Sequence, residues 1–159
     1  MNKIRTKNGF TIIEIVIVLA VIAMVSIVSL PMGIQFFNGQ NIESVQSQLA
    51  DTLNRARSQS MAQKGDAQYG VCIINSTPYT SSYVLFKGTY TACSSMSANG
   101  ENEVYPLLDG ILIEFPLAVD NISFAKHTGV PSWNGSSTIY WNGLQRTISV
   151  DTFGTIVEQ

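Results

Sequence analysis

Hydrophobic positions follow three different rhythms along the chain. From Phe10 to Leu30 (FTIIEIVIVLAVIAMVSIVSL) they are almost continuous: these 21 residues hold one ionisable side chain, Glu14, and Ile15–Val25 hold no polar side chain. Coiled as a helix, such a run is about 31 Å long, which matches the hydrocarbon thickness of a bilayer. From Ile42 the pattern changes to one apolar stripe: Ile42, Val45, Leu49, Leu53 and Ala56, at spacings of 3, 4, 4 and 3. That is the signature of an amphipathic helix packing one face on something apolar. Gln46, Ser47, Asp51, Asn54, Arg55 and Ser58 fall off the stripe, and Asp51 and Arg55 are spaced to pair on the surface. Gly65, after Lys64, is placed to cap this helix.

The third rhythm is that of strands. Tyr69–Asn75, Ser82–Lys87, Ile111–Phe115, Ile122–Ala125, Thr138–Trp141, Arg146–Val150 and Thr155–Glu158 are short, rich in β-branched or aromatic residues, and bounded by Gly, Pro, Asn or Ser. Asn142-Gly143 is the strongest hairpin signal, and Asp151–Gly154 reads as a second tight turn. Successive hairpins predict antiparallel sheets and argue against a parallel nucleotide-binding sheet. The fold class expected is α+β: a long N-terminal helix, with a transmembrane half and an amphipathic half, packed on an antiparallel two-sheet β head. The boundaries expected are 1–9, a leader; 10–32, the membrane helix; 33–64, the amphipathic half; and 65–159, the head.

Charge divides the chain in the same way. Lys3, Arg5 and Lys7 form a cationic tip with no acid, while the rest carries six basic against eleven acidic side chains. The positive-inside rule keeps the tip in the cytoplasm and sends the head outward. A cleaved secretory signal fits less well, because the apolar run continues past Ala20 and Ala23 with no polar cut region. Pro31 then stops or kinks the helix, lacking an N–H and crowding the preceding turn.

Glu14 is the informative residue. A carboxylate within hydrocarbon costs about 2.5–3.5 kcal/mol on insertion scales unless it is paired. A position near the helix N-terminus relieves part of this. A cut after Gly9 supplies more: Phe10 then carries a free α-amine, and in a row of staggered identical helices that amine meets the Glu14 of a neighbour. The pairing requires a second subunit, so it is a device for assembly and not for catalysis.

Lys7-Asn8-Gly9-Phe10-Thr11-Ile12-Ile13-Glu14 resembles the cleavage and methylation motif of type IV prepilins and pseudopilins. The resemblance implies cleavage between Gly9 and Phe10 by a membrane-embedded prepilin peptidase, N-methylation of Phe10 by the same enzyme, and docking of the subunit through Glu14. It implies an inner-membrane precursor, an assembly platform, and other pilins or pseudopilins as partners. It also offers a second reading of Pro31, as a stretch that melts on filament packing. Leu53–Ala62, and Arg146–Val150 with Gly154-Thr155-Ile156, are similar to the H-type minor pseudopilins of type II secretion and their pilus relatives. The function expected is a structural subunit of a type IV pilus or type II secretion pseudopilus.

Other residues change the picture little. Cys72 and Cys93 lie outside the membrane in this arrangement, as a disulfide or as two buried thiols. With His127 they lack the spacing of a zinc site, so no metal is expected. Glu101, Glu103 and Asp109, in and near the polar loop Ser94–Glu103, lack the spacing of a calcium loop. Asn75, Asn121 and Asn134 begin chance Asn-x-Ser/Thr triplets, and Trp133, Tyr140 and Trp141 read as head-core or strand-face residues. A minor pilin that captures DNA for uptake is the alternative function. It needs a basic head patch, for which Lys126 and Arg146 are the candidates among Arg55, Arg57, Lys64 and Lys87. The acidic balance argues against nucleic acid as a partner. No nucleophile has a partnered base and no glycine loop cradles phosphate, so neither an enzyme nor a cofactor is expected.

Overall fold

The computed structural model describes residues 10–62, 64–76, 80–89, 93, 102–115 and 120–159, with the backbone alone for 28–35, 64, 75, 76, 80 and 81. The leader, with Gly9, lies outside the described residues, as does Glu101. The chain divides into one unit ending at Phe37 and another running from Asn38 to Gln159. Helix α1 covers Ile12–Met61 and so contributes to both. Its helical assignment passes through Pro31, so the proline does not stop it.

In the second unit the predicted stripe is buried: Ile42, Leu49, Leu53 and Ala56 are fully covered and Val45 nearly so. They join one hydrophobic cluster with Val71, Leu85, Ile122 and Phe124 from one sheet and Ile113, Ile139, Ile148 and Val150 from another. Burying each such aliphatic side chain contributes about 1.5–3 kcal/mol. The helix ends at Met61, and Gly65 sits four residues on in a left-handed conformation within a 3-10 turn, so it shapes the turn after the cap.

Eight described strands follow: β1 (Tyr69–Ser76), β2 (Thr80–Lys87), β3 (Glu103–Pro106), β4 (Leu112–Glu114), β5 (Asn121–Phe124), β6 (Gly135–Trp141), β7 (Leu144–Val150) and β8 (Ile156–Glu158). They form two four-stranded sheets, ordered β3-β2-β1-β5 and β4-β6-β7-β8. Every pairing is antiparallel. The α+β class with two antiparallel sheets is the one expected from the sequence. Strand β3 is an addition, in a segment whose start reads as polar loop. Its ladder partner is β2, opposite Ser82–Leu85.

Local chemistry fixes the turns. Asn142 and Gly143 both take positive φ, 47° and 79°, as a two-residue hairpin between right-twisting strands requires. At the next turn the Asp151 carboxylate accepts the N–H groups of Phe153 (2.8 Å) and Thr155 (2.7 Å). Gly154 there has φ 79°, and a Cβ would meet the Gly129 carbonyl at 2.5 Å and Arg57 Nε at 2.9 Å. This turn is therefore pressed against the end of α1, where Arg57 Nη2 donates to the Phe153 carbonyl (2.9 Å).

Two helix residues depart from their expected roles. Gln46 is buried, and its Nε2 donates to the carbonyls of Thr147 (2.9 Å) and Gln159 (3.1 Å). Arg55 does not bind Asp51 but makes a two-pronged pair with Glu103 on β3, with Nη1–Oε2 at 2.7 Å. A carboxylate facing the guanidinium fork offers parallel bonds that a helical neighbour one turn away does not.

Cys72 on β1 and Cys93 form a disulfide with Cα atoms 5.7 Å apart, so the bridge is the alternative that holds. Both are buried with Val84 and Phe86 in a second cluster, and the Cys93 N–H donates to the Asp120 carboxylate (2.9 Å). Replacing both cysteines by alanine is expected to lower unfolding free energy by about 2–4 kcal/mol, read as a lower denaturant midpoint. Asp151 supplies a pH test. Backbone bonds from Thr155 and Phe153 hold its folded pKa below the ordinary carboxylate value. Its stabilising contribution is present in full above the unfolded pKa, about 3.9, and is lost as pH falls through the lower folded value. Asp151→Asn should flatten the acid limb of the stability profile below about pH 4, by more than the same change at an exposed head carboxylate that lacks such bonds.

Candidate functional site

The first unit carries the residues singled out at the amino end. Phe10 and Thr11 precede the helix. Thr11 caps it: its carbonyl accepts the N–H groups of Glu14 (3.1 Å) and Ile15 (3.3 Å), and its Oγ1 lies 3.4 Å from the Glu14 nitrogen. Thr11-Ile12-Ile13-Glu14 has the Thr-x-x-Glu form of a capping box, a signal in the sequence that the hydrophobic run overshadows. It puts Glu14 in the first turn, where unpaired N–H groups and the helix dipole favour an anion.

Beyond Glu14, Ile12–Ile27 offers one polar side chain, Ser26. From Ile12 to Ile27 every large apolar side chain is at least 52% exposed, on all sides of the helix. Ser26 turns its hydroxyl inward to the Ile22 carbonyl (2.8 Å), satisfying its own polarity. Phe10, Glu14 and Val18, spaced four apart, line a shallow apolar groove of about 260 Å³ with Ile15 and Leu19. The only ionisable group of the segment thus sits on a face that is otherwise hydrocarbon. Among the described residues no helix is long and apolar enough to cross a membrane. The apolar run continues in sequence into residues 28–35, of which the backbone alone is described.

The other candidates do not gather at this segment. Cys72 and Cys93 are bridged in the second unit. Glu103 is bound by Arg55 and by the Tyr105 hydroxyl (2.7 Å), and the Asp109 carbonyl accepts the Trp141 indole N–H (3.2 Å). Among the described residues no group of three His, Cys, Asp or Glu side chains is arranged to hold a metal. Lys126 pairs with Asp66 (2.7 Å), and that partner holds the Asp66 carboxyl below its usual range. Arg146, on β7, donates to the Gln145 carbonyl instead. Trp133 packs edge-on against Phe115, with centroids 5.8 Å apart, and His127 lies in an exposed turn with φ 68°.

Comparison with known proteins bears on the amino-terminal segment alone. Residues 4–30 match the family model described as the prokaryotic N-terminal methylation motif. No curated protein and no solved structure matches the chain. The matched span contains Arg5 and Lys7 of the cationic tip, the Gly9–Phe10 junction, Glu14 in the first helical turn and the exposed apolar helix. Through residues 4–30 the chain is therefore identified as carrying the prepilin motif shared by type IV pilins and pseudopilins.

Proposed function

We propose that this chain is a structural subunit of a type IV pilus or a type II secretion pseudopilus. It is inserted as a single-pass inner-membrane precursor with its basic tip inside and its head outside. The observation that carries the reading is the helical segment Ile12–Ile27, apolar on every side, whose one acid, Glu14, sits in the first turn behind the Thr11 cap. Such a surface is stable only in lipid or among like helices. Prepilin peptidase cuts between Gly9 and Phe10, and the new amino group is methylated. Methylation keeps the positive charge, so the terminus of one subunit still neutralises Glu14 of the next.

Pro31 has a place in this reading. It lacks the N–H that would close a helical bond, so the turn before it is the cheapest place for the helix to open on packing. The H-type resemblance favours a minor subunit over the main one. DNA capture has less support, since Lys126 is already neutralised by Asp66 and acids outnumber bases outside the leader.

Gly9→Ala should block cleavage, so that precursor accumulates in the membrane and the mature form, read by mass spectrometry from Phe10, is missing. A mature protein still bearing Lys3, Arg5 and Lys7 in the unaltered chain would sink the proposal. Glu14→Ala should leave cleavage intact and reduce incorporation into sheared fibres by at least about tenfold, which corresponds to about 1.4 kcal/mol. Normal incorporation would remove Glu14 from the docking step.

A further inference from the structure

The second unit contains a cleft of about 300 Å³ lined by Gln48, Asp51, Thr52 and Arg55 of α1 and by Tyr83 and Tyr105 of β2 and β3. The two tyrosine rings stack, with centroids 4.9 Å apart and planes 10° from parallel, and form its aromatic wall. Tyr83 is only 1% exposed, yet its hydroxyl has no hydrogen-bond partner. The phenol is pushed up by burial; the neighbouring Thr52 hydroxyl, whose proton is already given to the Gln48 carbonyl, acts the other way, and the charge of Asp51 acts with burial. A buried hydroxyl left without a partner is unusual, because it has given up its water for nothing.

The remaining groups define what would satisfy it. Both arms of Arg55 are engaged by Glu103, and Nη1 also reaches the Tyr105 hydroxyl (3.2 Å), so its charge is cancelled. Thr52 donates to the Gln48 carbonyl (2.8 Å), and Gln48 donates its amide to Ser44 (3.2 Å), leaving its side-chain oxygen as an acceptor. Asp51 is exposed and has no ion pair among the described residues. The cleft is thus left with a carboxylate, an amide oxygen, a phenol oxygen and two aromatic rings. This set is rich in acceptors, carries a net negative charge and is lined by rings that attract cations.

We propose that this cleft binds a primary ammonium group, whose three N–H donors match the Asp51, Gln48 and Tyr83 oxygens. The source is a lysine side chain of a neighbouring polypeptide or a free amine. The proposal does not rest on fibre assembly, because the cleft lies wholly within Asn38–Gln159.

The test uses the full chain in detergent, labelled at tyrosine for NMR and titrated with n-butylammonium, with n-butanol as the uncharged control. The Tyr83 and Tyr105 ring resonances should shift saturably with the amine and stay in place with the alcohol. Asp51→Asn should weaken binding at least about tenfold by removing the charge-assisted bond. Tyr83→Phe, which keeps the ring stack, should weaken it by a smaller factor, and added salt should weaken binding to the unaltered chain. Circular dichroism and an intact disulfide establish that the variants fold. Ring resonances unmoved by the amine, or an equal response in Asp51→Asn, would overturn the proposal. Carbodiimide coupling in native membranes separates the sources. Asp51 joined to a lysine of a second polypeptide assigns the ammonium to a protein neighbour. Saturable amine binding without that cross-link assigns it to a free amine.

Discussion

The head depends on one stripe of a helix having somewhere to go. Ile42, Val45, Leu49, Leu53 and Ala56 belong to a single cluster with residues of both sheets. Neither sheet could cover its own inner face, because four short strands leave one side bare to water. The helix is the common lid. Gln46 shows how closely it is fitted: a polar side chain is tolerated beside the stripe because two backbone carbonyls, of Thr147 in the middle of β7 and of Gln159 just past β8, take its amide protons.

Toward its amino end the same helix has no such cover. Its apolar side chains point in all directions, and a single carboxylate interrupts them. The physical problem is the same as in the head, which is apolar surface needing a partner, but the proposed solution lies in other molecules. In that reading the subunit is complete only when lipid or its neighbours surround it. The first-turn position lowers the cost of a charge at Glu14 without removing it.

What the sequence revealed depended on the range of the interaction. The stripe, the Asn142-Gly143 turn and the Asp151–Gly154 turn are local patterns, and each is found where periodicity or turn chemistry puts it. The disulfide was one of two open choices, since pairing needs a geometry that spacing alone does not supply. Strand β3 was missed because Glu103–Pro106 is short, follows a polar stretch and ends in proline, all of which read as loop. Its placement comes from β2 and from Arg55, which is 48 positions away in the chain and finds a better carboxylate than its helical neighbour Asp51. Gln46 was placed off the stripe because its partners lie more than a hundred residues away. At the amino end the cap is readable in Thr11-x-x-Glu14, within a run whose apolar character dominates the pattern.

The β6–β7 tip has a practical side. No atom lies within 4 Å of where a Cβ at Gly143 would sit, although its φ of 79° means that a label must leave the glycine itself in place, and both turn residues are exposed. The two strands are held by seven consecutive register pairs running back from Trp141 and Leu144. Their alignment is therefore secured along their length and not by the tip alone. That corner is a natural berth for an epitope or fluorophore, one that would let the subunit be followed in cells while its core stays undisturbed.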